Sequence, residues 1–387
     1  MRDVLKDQEL WHRAKSVGAV RERPLQGSPE MDATFQKNFR KKLLDWYQKY
    51  KRDLPWRRSR DPYAIWVSEI MLQQTQVATV IPYYERFLKK FPTIAALARA
   101  EEEDVLALWA GLGYYRRAKL LQRGARAVAE RHGGRLPDDP EALRELPGIG
   151  PYTAGAIASI AFQRPSPLVD GNVVRVLSRV FARKGHAKDA RLQKEIWALA
   201  ADLVDPEHPG DFNQALMELG ATLCRVALPS CERCPVQGLC AARGDGEPEA
   251  FPESPPPQKT LRLQRAAAVA LRGGSVLLVK PRAARWFQGL WGLPHEYCAE
   301  APATETALGE CLRSHLGLAL LRPQALPATT HAITQHRITT WAWSGEARGR
   351  LKAAGPYEEA RFFTKKELAG AALPNFDRKV LAAAKLI

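Results

Sequence analysis

Apolar residues recur at three- and four-residue spacing from Asp32 to about Phe181, a pattern that predicts one helix after another. The clearest segments are Phe39–Tyr50, Ala64–Phe91 and Glu102–His132, and Pro82 is expected to break the second of them. Helical spacing continues through two further segments, Leu192–Val204 and Asp211–Cys224. No segment here alternates as a strand would, so the N-terminal part is predicted to be mainly α.

The pattern changes after a stretch rich in Gly, Glu and Pro that ends in Pro255-Pro256-Pro257. Such a composition is typical of a linker stiffened by polyproline geometry. Beyond it, short apolar runs around Gly273-Gly274 predict a β-hairpin. Three more elements are predicted: a helix over Thr304–Leu316, a strand over Ile338–Trp343 and a terminal helix over Phe376–Ile387. The predicted domains are an extension over residues 1–30, a helical domain over 31–242, a linker over 243–262 and a smaller α/β domain over 263–387.

The charge balance narrows the class of partner. The 387 residues carry a formal net charge of +16 and are 45% hydrophobic, which is typical of a globular protein with affinity for polyanions. A protein that is merely basic is the alternative interpretation. No apolar run approaches the roughly 18 residues of a membrane helix, and residues 1–30 lack the apolar centre of a secretory signal. These features predict a protein that does not enter a membrane. We further expect a cytoplasmic monomer of bacterial type that acts at the nucleoid.

Four of the six cysteines form a cluster within 17 residues, at Cys224, Cys231, Cys234 and Cys240. Four thiolates so spaced can close around a 4Fe–4S cluster. Zinc also accepts four thiolates, but zinc ribbons usually show two C-x-x-C pairs, and the chain has one. Disulfides are the remaining alternative in a cytosolic context. The spacing favours iron–sulfur and leaves zinc open.

The run Leu146-Pro147-Gly148-Ile149-Gly150 lies between two helical stretches. Gly148 and Gly150 allow a tight turn whose backbone N–H groups could hold a phosphate at the start of the next helix. Such contacts position nucleic acid without reading its sequence. A plain packing corner between helices is the alternative. Five basic residues on the helix after Gly113-Tyr114-Tyr115 favour the phosphate interpretation: Arg116, Arg117, Lys119, Arg123 and Arg126.

Two carboxylates are candidates for acid–base chemistry. Helical spacing places Glu69 on a stripe with Ile65, Trp66 and Leu72, where an apolar setting should raise its pKa and suit it to act as a general acid. Asp170 precedes Gly171, and an ordinary turn is its alternative interpretation. In a basic helical protein the pair suggests two carboxylates flanking a glycosidic bond.

Together these motifs resemble the MutY family of adenine DNA glycosylases, in the helix-hairpin-helix superfamily. The resemblance runs from about Met31 to the C-terminus. It is carried by seven features: LPWR (Leu54–Arg57), SEIMLQQTQV (Ser68–Val77), GLGYY (Gly111–Tyr115), LPGIGPYTAG, VDGNV (Val169–Val173), FNQALMELG (Phe212–Gly220) and the cysteine spacing. It implies a six-helix barrel with an iron–sulfur loop, then a Nudix-like lesion-recognition domain. The implied activity is monofunctional excision of adenine paired with 8-oxoguanine or guanine in double-stranded DNA.

The resemblance also implies roles for individual residues. Glu69 would protonate adenine at N7, Asp170 would steady the sugar cation with support from Asn172, and Tyr152 would contact the reacting site. The adenine pocket would be lined by Arg57 and Gln214. DNA contacts are implied for Gln73, Gln74, Tyr114, Gly148 and Gly150, and the four cysteines would hold the 4Fe–4S cluster in a structural role.

Three alternatives stay in view. An endonuclease III-like glycosylase-lyase needs a lysine nucleophile, and Tyr152 stands at that position. A Nudix pyrophosphohydrolase needs a run of carboxylates that Gly309–Ser314 lacks. The third is a non-enzymatic DNA-binding or redox protein.

One stretch departs from the family. MutY proteins usually present Phe-Ser-His to the 8-oxoguanine, whereas His331–His336 aligns Ile333, Thr334 and Gln335 there. Thr334 and Gln335 keep hydrogen-bonding groups, so we expect the loop to sense 8-oxoguanine with a narrower preference over guanine. His336 could take part if the register shifts by one residue.

Overall fold

The computed structural model describes residues 29–254, 259–283, 286–287, 289–298 and 303–387. These residues form two compact units. The first contains the described residues up to Ala98 and from Arg123 to 254, and the second contains Arg99–Gln122 with the described residues from 259 onward. The predicted extension over residues 1–30 lies almost wholly outside the described residues, as do Pro255, Pro256 and Pro257 of the linker.

Helices make up the chain up to residue 254. They are α1 Ala33–Tyr50, α2 Pro62–Leu72, α3 Val77–Lys90, α4 Ile94–Arg99, α5 Glu102–Trp109, α6 Arg116–Arg131, α7 Pro140–Arg144, α8 Pro151–Ala156, α9 Gly171–Val180, α10 Ala190–Leu203, α11 Pro209–Thr222 and α12 Ala241–Gly244. A π-helical turn, Ile157–Ala161, prolongs α8, and 3₁₀ turns cover Pro55–Arg57, Cys231–Arg233, Gln237–Leu239 and Pro248–Ala250. The predicted mainly α part is confirmed.

Aspartates begin many of these helices. Asp32, Asp61, Asp139 and Asp189 each accept a hydrogen bond from a backbone N–H in the first turn of the helix that follows. Such caps satisfy donors that a helix start would otherwise leave unpaired. The helices then bury their apolar stripes in a shared core to which α1, α9, α10 and α11 contribute most of the buried side chains.

Two segments with helical spacing, Ala64–Phe91 and Glu102–His132, form four helices. The segment Ala64–Phe91 is divided at Gln73–Gln76, where Gln74 adopts a left-handed φ of 56°, and Pro82 lies inside α3. The predicted break at Pro82 is therefore wrong: the chain turns before Val77, and Pro82 is the sixth residue of a helix that continues to Lys90. The segment Glu102–His132 is likewise divided into α5 and α6 by the turn that contains Gly111 and Gly113, both at positive φ.

The second unit contains a six-stranded mixed sheet. Its strands are β1 Leu261–Arg272, β2 Ser275–Pro281, β3 His295–Cys298, β4 Leu318–Ile333, β5 His336–Gly349 and β6 Tyr357–Phe363, in the order β4-β5-β1-β2-β6, with β3 paired to β1. The strands β1 and β5 are parallel, and the other pairs are antiparallel. The predicted smaller α/β domain and its hairpin at Gly273-Gly274 are confirmed.

Helices accompany the sheet in this unit. They are α13 Glu305–Cys311, which continues in a π turn Leu312–Leu316, α14 Lys365–Gly370 and α15 Asn375–Ala383. Residues of β1 point alternately into two apolar clusters, Ala266, Ala268 and Ala270 into one and Ala267 and Val269 into the other. The terminal helix is shorter than the predicted Phe376–Ile387. None of the helices in the described ranges is long and apolar enough to cross a membrane.

Candidate active site

Glu69 lies in the last part of α2, on a helix that is buried almost all round. Its side chain is 4% exposed, next to the buried Ile65 and Trp66. Burial raises the pKa of Glu69 from 4.5 to about 7, while the hydrogen bond from Tyr152 and the charge of Arg57 lower it and the charge of Asp170 raises it. A carboxyl group with this pKa is protonated in a large fraction of molecules near neutral pH, as a general acid requires.

Tyr152 and Asp170 join Glu69 at this site. The hydroxyl of Tyr152, in the first turn of α8, donates a 2.5 Å hydrogen bond to Glu69 Oε2. Burial and the neighbouring carboxylates raise the pKa of Tyr152 well above 10, so the phenol stays neutral. The structure thus brings together three residues, from α2, α8 and the start of α9, that the sequence had predicted as one site.

Asp170 is the N-cap of α9. Its Oδ1 accepts a 2.7 Å hydrogen bond from the backbone N–H of Val173, and its Oδ2 accepts a 2.8 Å bond from the Asn172 amide. Burial raises the pKa of Asp170, and these hydrogen bonds together with the charge of Arg175 oppose the rise. The two bonds and the helix N-terminus favour the anion. Asp170 is therefore held in place by α9 itself, and the ordinary-turn interpretation is wrong.

Asn172 is held by a longer network. Arg175 donates to Asn172 Oδ1 at 2.8 Å and to the carbonyls of Gly220 and Cys224 at 2.9 and 2.8 Å. A Cβ on Gly220 would lie 2.6 Å from the Asn172 Cβ, so only glycine lets α11 come this close to α9. The contacts of Arg175 and Gly220 with Asn172 could not be predicted from the sequence, because only the folded chain brings these residues together.

Arg57 binds the carboxylate of Glu218, which the sequence pattern did not single out. Its Nη2 donates to Glu218 Oε2 at 2.9 Å, and its Nη1 donates to the Arg52 carbonyl at 3.1 Å. Gln214 is half-buried on α11, on the same face as Glu218 and as Met217, whose sulfur lies 3.4 Å from the Tyr152 hydroxyl. Both residues predicted for the adenine pocket therefore lie in the same unit as Glu69.

The hairpin before α8 has the predicted form. Gly148 adopts a left-handed φ of 83°, Ile149 is buried, and Gly150 is the exposed N-cap of α8. Backbone N–H groups at this helix start are available to an anion. Gln73 lies nearby, its amide 3.5 Å from Thr153 Oγ1, and Gln74 is exposed in the left-handed turn after α2. Four of the predicted DNA-contacting residues are thus on the first unit.

The other predicted DNA-contacting residues belong to the second unit. Tyr114 is 46% exposed at a left-handed φ of 49°. Thr334 and Gln335 form the exposed two-residue turn between β4 and β5, where Ile333 pairs with His336. His336 is buried, with its ring edge-on to Trp286 at 5.0 Å. His336 is therefore not presented at the turn, and Thr334 and Gln335 are.

The four clustered cysteines line one small cavity between α9 and the segment that follows α11. Arg179, which is buried, lies at its wall with Nη1 3.4 Å from Cys224 Sγ, and it donates to the carbonyls of Arg225 and Val226. Burial raises the pKa of Cys234 to about 12, so its thiolate needs a cationic partner near neutral pH. Among the described residues no group of His, Cys, Asp or Glu is arranged to hold a single metal ion. The donor set, four thiols around one cavity, fits an iron–sulfur cluster.

The first unit is a helical domain with a buried carboxylic acid, Glu69, at its centre. Residues 67–201 match the model of the HhH-GPD superfamily of base excision DNA repair proteins. A thermostable thymine-DNA glycosylase of known structure is 32% identical, with a TM-score of 0.50, and the match covers 55% of this chain and 100% of that chain. The chain belongs to the HhH-GPD superfamily.

Curated relatives are more similar still over slightly more than half of this chain. The adenine DNA glycosylase of Rattus norvegicus is 54% identical over 229 residues, which cover 56% of this chain and 44% of that protein. The human adenine DNA glycosylase is 55% identical over 220 residues, which cover 54% of this chain and 40% of that protein. The chain thus spans less than half the length of these relatives.

Proposed function

We propose that this chain is a monofunctional DNA glycosylase that hydrolyses the N-glycosidic bond of adenine mispaired with 8-oxoguanine or guanine. The observation that carries the proposal is the environment of Glu69. This residue is buried, has a pKa of about 7 and accepts a hydrogen bond from Tyr152, and the charge of Asp170 raises its pKa. The identity of more than half with two adenine DNA glycosylases, over 229 and 220 residues, supports it.

The chemistry follows from the protonation states. The neutral carboxyl of Glu69 gives its proton to adenine N7, and the bond from the sugar to adenine breaks with its electron pair on the base. The Asp170 anion, held by Val173 N–H and Asn172, stabilises the positive charge on the sugar. Water then adds to the sugar, and the Glu69 carboxylate accepts its proton. The products are free adenine and an abasic site.

Recognition is divided between the two units in this proposal. Arg57 and Gln214 line the pocket for the flipped adenine, while Gln73, Gln74, Gly148, Gly150 and Tyr114 contact the duplex. Thr334 and Gln335 read the 8-oxoguanine opposite the adenine, in a domain of Nudix type. The protein works as a monomer on double-stranded DNA, in the cytoplasm of a bacterial-type cell.

A 4Fe–4S cluster is the cofactor in this proposal, held by Cys224, Cys231, Cys234 and Cys240. When bound, it would join the chain before and after Cys231 into one rigid loop, a structural role without a part in hydrolysis. The four thiols that line this cavity support an iron–sulfur cluster. The chain has one C-x-x-C pair where zinc ribbons usually have two, and this favours iron–sulfur over zinc.

The experiment measures single-turnover excision on duplexes that contain adenine opposite 8-oxoguanine, guanine or cytosine, and thymine opposite guanine. We expect excision of adenine opposite 8-oxoguanine and guanine only. A preference for thymine opposite guanine would overturn the proposal and indicate a thymine-DNA glycosylase, the activity named for the solved structure at 32% identity. A borohydride-trapped adduct, formed with strand cleavage at the rate of excision, would replace it with a glycosylase-lyase.

A further inference from the structure

Glu218 is a buried carboxylate outside the predicted set of site residues. It lies on α11 with 1% of its side chain exposed. Burial would raise the pKa of Glu218, but hydrogen bonds from Arg52 and Arg57 hold it below its usual value. A carboxylate buried this fully is costly unless it is paired, so the pairing explains why it can be an anion.

Two arginines meet at this carboxylate. Arg52 donates from Nε to Oε1 at 2.7 Å and from Nη2 to Oε2 at 2.8 Å, and Arg57 donates from Nη2 to Oε2 at 2.9 Å. Arg57 also donates to the Arg52 carbonyl, and its guanidinium lies 5.4 Å from the centre of the Tyr47 ring. The guanidinium of Arg57 is therefore fixed from three directions, and only 11% of its side chain is exposed.

The charge of Arg57 acts on Glu69, the proposed catalytic acid. Among the described residues, three groups shift the pKa of Glu69: the Tyr152 hydroxyl from α8, Asp170 from the start of α9, and Arg57 from the turn Pro55–Arg57. The charge of Arg57 favours the Glu69 anion, which is the form that cannot protonate a base. A carboxylate bound directly to Arg57 reduces that effect, because opposite charges in contact offset each other's field.

We propose that Glu218 is a positioning residue that fixes Arg57 in the adenine pocket and limits the positive charge felt by Glu69. The inference rests on the proposed function, since it assigns a third carboxylate, after Glu69 and Asp170, to the same reaction. Glu218 does not touch the reacting atoms. It acts through Arg57, so its loss should change both where the guanidinium lies and how readily Glu69 keeps its proton.

Two substitutions separate these effects. Glu218→Gln removes the charge and keeps the size, whereas Glu218→Asp keeps the charge and shortens the reach to the two arginines. For Glu218→Gln we expect the pH at which single-turnover excision falls to half to move down by roughly half a unit or more. For Glu218→Asp we expect a rate loss of several-fold with the native pH midpoint.

Glu195→Gln is the matched control, because Glu195 also pairs with two arginines, Arg183 and Arg191, on a more exposed helix. It should keep the native rate and pH midpoint. If Glu218→Gln folds, as judged by thermal unfolding, and keeps the native midpoint, the proposal is overturned. If the native protein excises no adenine at all, the proposed function fails instead, and the two failures are distinct.

Discussion

Tyr152 and Glu69 are 83 positions apart in the chain, yet the phenol donates a 2.5 Å hydrogen bond to the carboxyl group. The donor is neutral and the acceptor is half-protonated near pH 7. The bond favours the Glu69 anion and so works against burial, which favours the neutral acid. The pKa of Glu69 thus reflects burial, which raises it, and the Tyr152 hydrogen bond, which lowers it and can be removed by a single substitution.

Replacing Glu69 with Gln should abolish excision and leave DNA binding largely intact. Gln keeps the shape but has no acidic proton to give, and a general acid typically contributes about 100-fold or more. Single-turnover excision should fall by at least that factor, while the affinity for a duplex with a non-cleavable adenine analogue stays within a few-fold. Excision at the native rate would remove Glu69 from the mechanism.

The same substitution should alter stability in a pH-dependent way. The pKa of Glu69 is about 7 in the folded protein and 4.5 as an ordinary value. As pH rises from 4.5 through 7, the unfolded chain gives up this proton before the folded one does, so the native free energy of unfolding decreases. Glu69→Gln should therefore unfold at a higher temperature than the native protein at pH 8 and at a similar temperature at pH 4. Equal shifts at both pH values would contradict this.

Tyr152→Phe should move the pH profile of excision upward. The native rate is expected to fall as pH rises through about 7, where Glu69 loses its proton. Without the Tyr152 hydrogen bond, burial and the charge of Asp170 raise the pKa of Glu69 with only Arg57 opposing them, so the midpoint moves to higher pH by up to about one unit. Tyr63→Phe is the control, since the Tyr63 hydroxyl is buried and donates to the Phe91 carbonyl. A midpoint that falls or stays fixed in Tyr152→Phe argues against this coupling.

Gly220→Ala should damage the Asp170 side of the site. The new Cβ would lie 2.6 Å from the Asn172 Cβ, so α9 and α11 must separate. We expect a loss of about 1–3 kcal/mol in the free energy of unfolding and slower excision, because Asn172 loses its placement against Asp170. Gly370→Ala, where a Cβ meets no atom within 4 Å, should change neither quantity. Native activity in Gly220→Ala would show that this spacing is not critical.

The purified protein should contain about four irons per chain and absorb visible light, as four thiolate ligands imply. Metal analysis and electron paramagnetic resonance after oxidation would test this. One zinc and no iron would overturn it. Cys298→Ser should leave the iron content unchanged, because Cys298 lies outside the cluster and on β3.

Thr334→Ala should narrow the preference for 8-oxoguanine over guanine opposite the adenine. The loss of one hydrogen bond is worth on the order of 1 kcal/mol, or several-fold in the ratio of rates. The ratio of excision opposite the two bases is the measurement. A native ratio in the alanine variant would show that Thr334 does not read the lesion.

Local sequence patterns predicted the helices and the placement of Glu69, because burial of a helix stripe is encoded by spacing along one segment. They misplaced the break between α2 and α3, since the chain turns at Gln74 with neither Gly nor Pro to mark it. They also missed the strands β3, β4 and β6 and the parallel pairing of β1 with β5. Contacts such as that of Arg52 with Glu218, 166 positions away, depend on tertiary packing that periodicity does not encode.

The turn between β4 and β5 has a practical consequence. Pairing of Ile333 with His336 leaves just two residues, Thr334 and Gln335, to project from the hairpin, and the buried His336 fixes where the strand restarts. Substitutions at those two positions change the chemical groups that are displayed without changing the sheet beneath them. Under the proposed function, a saturation library confined to Thr334 and Gln335 is therefore a compact way to vary the preference for the base opposite the excised adenine.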